Sequence, residues 1–181
     1  AIIKKAETNL LKLKQEIVEE LSRSPHPCPP EADIIKGQIV RGENNKGFPF
    51  ISLDMPQMFS KTQMFTYRTL FWWGHDLIFS LILKQKNHIP LINKLISLKE
   101  NPEWEKIQLA IAPSPWEWEK CSNNFIPIAE ASEKQIRETI ESFQYIKLCR
   151  FHSLSDPAFP ELNWASTGLA TWKILSKICV D

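Results

Sequence analysis

Side chains that could do chemistry are densest between residues 41 and 76. Arg68 lies there in apolar surroundings, where a guanidinium needs a partner because an unpaired buried charge is costly. Three carboxylates, Glu43, Asp54 and Asp76, are candidates for a structural ion pair with it. Alternatively, the guanidinium binds the carboxylate or phosphate of a ligand. The candidate ligand-binding residues of this block are Arg41, Glu43, Asn44, Arg68, Trp72, Trp73, His75 and Asp76.

The consecutive tryptophans Trp72 and Trp73 are the second feature of this block. Two neighbouring helical positions cannot both face one core, so we expect one indole to be buried and the other partly exposed. An exposed indole beside Arg and His could stack on a flat ligand. The alternative is that both rings fill the core where two elements meet.

Two functional hypotheses follow from these residues. The leading one is a non-enzymatic binding module for a small anionic or flat ligand, or for a protein segment. The alternative is a hydrolase that uses Asp54, His75 or Asp76 as acid or base, with the adjacent His75 and Asp76 as a base and its orienting group.

No motif identifies a reaction. The sequence contains no GxGxxG, GxxxxGK[ST], GxSxG or HExxH, and its five glycines are too few for a glycine-rich phosphate cradle. The four cysteines form no CxxC pair and the histidines are scattered, so we predict neither a metal site nor a cofactor. The alternation in residues 116–119, Trp-Glu-Trp-Glu, predicts an extended segment whose aromatic face lines a groove or covers the core.

Charge and hydropathy narrow the choice of partners. Lys and Arg number 22 against 21 Asp and Glu, a net charge of +1, which argues against general nucleic-acid binding. The longest apolar stretch, residues 77–83, is far shorter than the ~20 residues of a membrane helix. The first residues lack the pattern of a signal peptide. We therefore expect a cytoplasmic protein without membrane association.

The length favours a single domain over residues 1–181. Residues 1–22 form an amphipathic helix, which packs on the domain or, as the alternative, forms a homodimer seam through residues 2–22. Residues 24–31 are a stiff proline-rich connector. Residues 34–181 form the main body.

The elements of the main body predict an α+β fold with a mainly antiparallel, mixed sheet of about 5–6 strands covered by helices. A tight turn joins the first two strands, and because such a turn can join only antiparallel strands, it argues against a fully parallel sheet. A capping box, Ser60 to Gln63, predicts a helix over 61–72 that Gly74 ends. The other predicted elements are a hairpin over 34–54 ended by Pro56, strands at 76–84, 107–112, 124–128 and 145–152, and helices at 90–98, from Ser132 and from Asn163.

The block around Arg68 resembles an uncharacterised family of bacterial cytoplasmic proteins of the Bacteroidetes type, which has no assigned activity. The resemblance implies no chemistry and only marks this block as a unit. It is carried by Arg41–Asn44, Gly47–Phe50, Leu53–Pro56, Phe59–Ser60, Phe65, Arg68–Thr69 and Phe71–Gly74.

Overall fold

A seven-stranded antiparallel sheet forms the centre of the structure, a computed structural model that describes residues 1–23 and 25–181. The spatial order is β1-β2-β3-β4-β7-β5-β6, and each neighbouring pair is antiparallel. The α+β class and the antiparallel sheet are confirmed, with seven strands where five or six were expected. The strands are β1 (Gln38–Asn45), β2 (Phe48–Phe59), β3 (Met64–Trp72), β4 (Asp76–Lys84), β5 (Gln108–Ala110), β6 (Phe125–Pro127) and β7 (Ile146–Ser153).

Two helices from opposite ends of the chain pack side by side on one face of this sheet. The apolar stripe of the first helix is buried, as its periodicity predicts, so this stripe is not free to form a dimer seam. A dimer through residues 2–22 would have to use the opposite, largely charged face. The helices are α1 (Ile2–Arg23), α2 (Ile89–Leu98), α3 (Glu133–Phe143) and α4 (Trp164–Leu175).

The predicted connector, residues 24–31, follows α1. Residues 25–31 contain neither helix nor strand, and Ser24 lies outside the described residues. At the end of the segment, Asp33 forms an isolated antiparallel bridge with Gln57 of β2. Over residues 1–23 and 25–181, no helix has the combination of length and apolar composition needed to cross a membrane.

The central strands bury both of their faces. Alternate residues of β2, β3, β4 and β7 face the layer that contains α1 and α4. The remaining positions face a second, smaller core, whose buried residues are Leu70, Trp72, Ile78, Ile82, Ala110, Trp118, Phe125, Tyr145, Cys149 and Phe151. Residues 111–124, which we call the cover segment, lie over this second core through Trp118.

The helix predicted over 61–72 is wrong, because these residues form a hairpin loop and strand β3. The Ser60 side chain accepts a hydrogen bond from the backbone N–H of Gln63 at 3.0 Å, and the Ser60 N–H donates to the Gln63 carbonyl at 2.9 Å. The bond from the Gln63 N–H to the Ser60 side chain occurs both in a helix capping box and in a four-residue turn, so it does not distinguish the two. The apolar character on most sides reflects a strand covered on both faces.

Other sequence-based boundaries are partly right. Pro56 does not end β2, because a register shift between Asp54 and Gln57 accommodates it. The strand over 76–84 is confirmed. Ser132 caps α3, and Pro127 lies in the edge strand β6, both as predicted.

A close approach between α4 and the sheet occurs at Gly168. The Tyr67 hydroxyl donates to the Gly168 carbonyl at 2.6 Å. A Cβ atom at Gly168 would lie 2.6 Å from Leu13 of α1 and 2.9 Å from Phe79 of β4. Only a residue without a side chain lets α1, α4 and the sheet meet at this distance.

We therefore expect Gly168→Ala to lower the free energy of unfolding by about 1–2 kcal/mol, because overpacking outweighs the ~1 kcal/mol by which alanine favours a helix. Urea unfolding measures the change. Ala170→Gly, at an exposed position of the same helix, calibrates the helix-propensity effect. A more stable Gly168→Ala variant would contradict the packing argument.

Candidate functional site

The structure separates the predicted site residues into three regions. Arg41, Glu43 and Asn44 lie on the edge strand β1. Arg68 lies on β3, on the side of the second core. Trp73, His75 and Asp76 lie at the turn between β3 and β4, above the buried Trp72.

The three predicted site residues of β1 lie at the edge of the sheet, and two of them make contacts within the fold. Arg41 forms an ion pair with Glu7 of α1. The Asn44 side chain accepts a hydrogen bond from the Gly47 N–H at 2.6 Å, which closes the β1–β2 turn. Glu43 is exposed.

Arg68 forms the structural ion pair that was one of its two predicted uses. Its Nε donates to Asp54 Oδ1 and its Nη2 to Oδ2, each at 3.0 Å. Asp54 is only 1% exposed and also accepts from the Thr66 hydroxyl. This bidentate pair occupies the guanidinium fork that an anionic ligand would need.

Lys147 of β7 is a buried cation that the sequence did not lead us to expect. Its ammonium is fully buried and donates to the carbonyl oxygens of Pro115 at 2.8 Å and Glu117 at 2.6 Å. It lies 3.4 Å from the centroid of the Trp118 ring. Burial, assisted by the charge of Arg68, lowers the pKa of Lys147 from 10.5 to about 8. The available signal was a lysine within the apolar run over 145–152.

The ammonium of Lys147 is one of several contacts that hold the cover segment. Lys46, at the β1–β2 turn, forms ion pairs with Glu117 at 2.8 Å and Glu119 at 3.1 Å. Trp116 lies over the Arg68 guanidinium, 4.8 Å from ring centroid to Cζ. Of the two uses predicted for the Trp-Glu-Trp-Glu alternation, covering the core is the one formed.

The turn between β3 and β4 packs on the buried side chain of Trp72. Trp72 is fully buried, and its indole N–H donates to the Asn45 carbonyl at 3.0 Å. The His75 ring stacks on Trp72 with centroids 3.6 Å apart. Gly74 has φ +81°, and a Cβ there would lie 2.6 Å from the Phe48 ring.

Trp73 is the exposed member of the tryptophan pair, with 41% of its surface accessible. The expectation of one buried and one exposed indole is confirmed, although the residues lie at the end of a strand. Trp73 lines a cleft of ≈ 730 Å³. The cleft is lined by Trp73, Gly74, His75, Asp76, Lys120, Ser153, Leu154, Ser155 and Phe159.

Asp76 is the half-buried carboxylate of this cleft. Burial raises its pKa from 3.8, and the charges of Lys120 and His75 partly oppose that shift. In the described parts of the chain, burial and the charges of Lys120 and His75 act on the Asp76 carboxylate, and no hydrogen bond does. Its carboxylate is therefore free to accept from a ligand.

The residues named for hydrolysis do not share one site. Asp54 is buried against Arg68, whereas His75 and Asp76 line the cleft. An acid–base pair would therefore have to consist of His75 and Asp76 alone. Within residues 1–23 and 25–181, no group of three or more His, Cys, Asp or Glu side chains is arranged to hold a metal ion.

Comparisons of the chain with protein-family models, with curated proteins and with solved structures find no match.

The Asp54–Arg68 pair gives a first testable consequence. We expect Arg68→Met to lower the free energy of unfolding by about 3 kcal/mol, because Asp54 is left as an uncompensated buried charge. The double variant Asp54→Leu/Arg68→Met removes both charges, and we expect it to be more stable than the single variant. Urea unfolding of both proteins decides, and a double variant less stable than Arg68→Met would contradict the pairing.

The lowered pKa of Lys147 gives a second testable consequence. Between pH 8 and about 10.5 the unfolded chain holds a proton that folded Lys147 has lost, so its contribution to stability rises with pH. We expect the stability of the wild type relative to Lys147→Met to rise by about 1 kcal/mol per pH unit in this range. Urea unfolding at several pH values measures it. The exposed Lys61→Met is the control, and equal slopes for wild type and Lys147→Met would contradict the shift.

Proposed function

We propose that the chain is a binding module that takes a small, flat ligand with hydrogen-bond donors at one edge, in the cleft beside the β3–β4 turn. One observation carries the proposal: the exposed indole of Trp73 and the unpartnered carboxylate of Asp76 line the same cleft. The first supplies a stacking surface and the second an acceptor.

The aromatic side of the cleft supports a flat ligand. Trp73 and Phe159 both line it, and indole and phenyl faces stack on planar rings. The two side chains also line an adjoining cavity of ≈ 360 Å³ on the α1 side, so they lie between the cleft and this cavity. A volume of ≈ 730 Å³ lies within the usual range of small-molecule sites, about 300–1,000 Å³.

The polar side of the cleft supports a ligand that donates. A carboxylate that burial has partly desolvated gains most from a charged or strong donor. Lys120 also lines the cleft, and its charge favours the ionised form of Asp76. An anionic ligand has less support, because the Arg68 guanidinium on which it would rely is bound to Asp54.

Benzamidine and benzoate test the proposal, because they share one flat ring and carry opposite charges. We expect benzamidine to bind more tightly than benzoate, and to shift the NMR signal of the Trp73 indole N–H. Trp73→Ala should weaken benzamidine binding about threefold to tenfold, the loss of one aromatic contact. Trp116→Ala is the matched control, because Trp116 is 45% exposed and lies on the cover segment.

Asp76→Asn distinguishes the contribution of the acceptor at Asp76 from that of the stacking surface at Trp73. We expect this variant to lose the preference for benzamidine while retaining the Trp73 response, because only the charge at the acceptor has gone. Equal binding by the Trp73→Ala and Trp116→Ala variants would contradict the stacking surface. Tighter binding of benzoate by the wild type would contradict the donor-bearing ligand.

A further inference from the structure

Sulfur-containing residues line a third cavity, away from the cleft. Two of the four cysteines and two of the three methionines line a cavity of ≈ 430 Å³: Cys28, Cys179, Met58 and Met64. The thiols come from the proline-rich connector and from the turn after α4, and the thioethers come from the two sides of the β2–β3 hairpin. Cys28, Cys179 and Met58 pack against the core that contains α1 and α4, whereas Met64 packs against the second core on the opposite face of the sheet. The fold therefore brings three soft donors from distant parts of the chain to one face of the sheet.

The two thiols of this cavity are free and half-buried. Burial raises the pKa of Cys28 and of Cys179 to about 12, and the charge of Cys28 adds to the shift at Cys179. Thiols that hold their protons so firmly are poor nucleophiles, so thiol–disulfide exchange has little support here.

We propose that Cys28 and Cys179 bind a single soft monovalent metal ion of the Cu(I) class, with the thioether of Met58 beside it. Thiolate and thioether sulfur are the ligands that select Cu(I). On binding, two S–H bonds break, two metal–sulfur bonds form, and the two protons pass to solvent. The metal keeps its oxidation state.

The surroundings of the cavity fit this ion better than a harder one. The dithiolate complex of a monovalent ion carries one negative charge, and Lys84 lines the same cavity. Glu31 also lines it and would oppose the complex. Structural Zn(II) sites take four ligands from Cys, His and carboxylates, and the described residues offer no such group of three or more.

Anaerobic titration of the reduced protein with Cu(I), against bicinchoninate as competing chelator, tests the site. We expect one tightly bound Cu(I) per chain. Cys28→Ser and Cys179→Ser should each weaken that binding at least a hundredfold, and Met58→Leu about tenfold. Cys121→Ser, which removes an exposed thiol elsewhere, should leave it unchanged.

Thermal unfolding supplies a second measurement. We expect Cu(I) to raise the unfolding temperature of the wild type and of Cys121→Ser, because an ion that binds only the folded chain stabilises it. Cys28→Ser should show no such rise, with Cys28→Ala as the second variant if the serine impairs folding. Circular dichroism without metal confirms that each variant is folded.

Three results would overturn the site. One is Cu(I) binding that survives in both cysteine variants, and another is equally tight binding of Zn(II) by the wild type. The third is that the reduced thiols bind no Cu(I) and, on exposure to air, form a disulfide, shown by a mass lower by two hydrogen atoms. None of these outcomes bears on the cleft beside Trp73, so the two proposals stand or fall separately.

Discussion

The second core depends on one buried charge, the ammonium of Lys147. Among the residues that the structure describes it has no carboxylate partner, and instead two carbonyl oxygens of the cover segment and the face of Trp118 surround it. Since an unsatisfied ammonium could not remain there, the cover segment must lie where its carbonyls meet β7. That position in turn places Trp116 over Arg68 and Glu117 beside Lys46. A polar contact therefore sets the geometry of an otherwise aromatic layer.

Local signals predicted the elements whose hydrogen bonds and packing are local. The stripe of α1 and the Ser132 cap are of this kind, because each is decided within a few residues. Strand β3 was not predictable in this way. A central strand with two covered faces shows no contrast between them, and the Ser60–Gln63 hydrogen bond serves a turn as well as a helix cap. Because β3 was predicted as a helix, the sequence accounted for only six of the seven strands in the described part of the chain.

The same distinction explains the candidate site. Trp73, His75 and Asp76 lie within four positions of one another, so a single turn keeps them together as the sequence suggested. Arg68 is also near in sequence, but β3 carries it away from the turn and opposite Asp54. The role of Lys147 depends on residues about thirty positions earlier in the chain. No pattern in residues 145–152 alone could reveal that contact.

The order of strands in the sheet has a consequence for how the chain is assembled. Strands β1 to β4 pair in the order in which they are made, whereas β5 and β6 join the sheet only through β7. The β5–β6 hairpin therefore lacks its partner strand in the sheet until residues 146–153 have left the ribosome. Until then β4 presents an open, strongly apolar edge. A nascent chain that pauses before residue 146 exposes to chaperones a surface that the finished fold conceals.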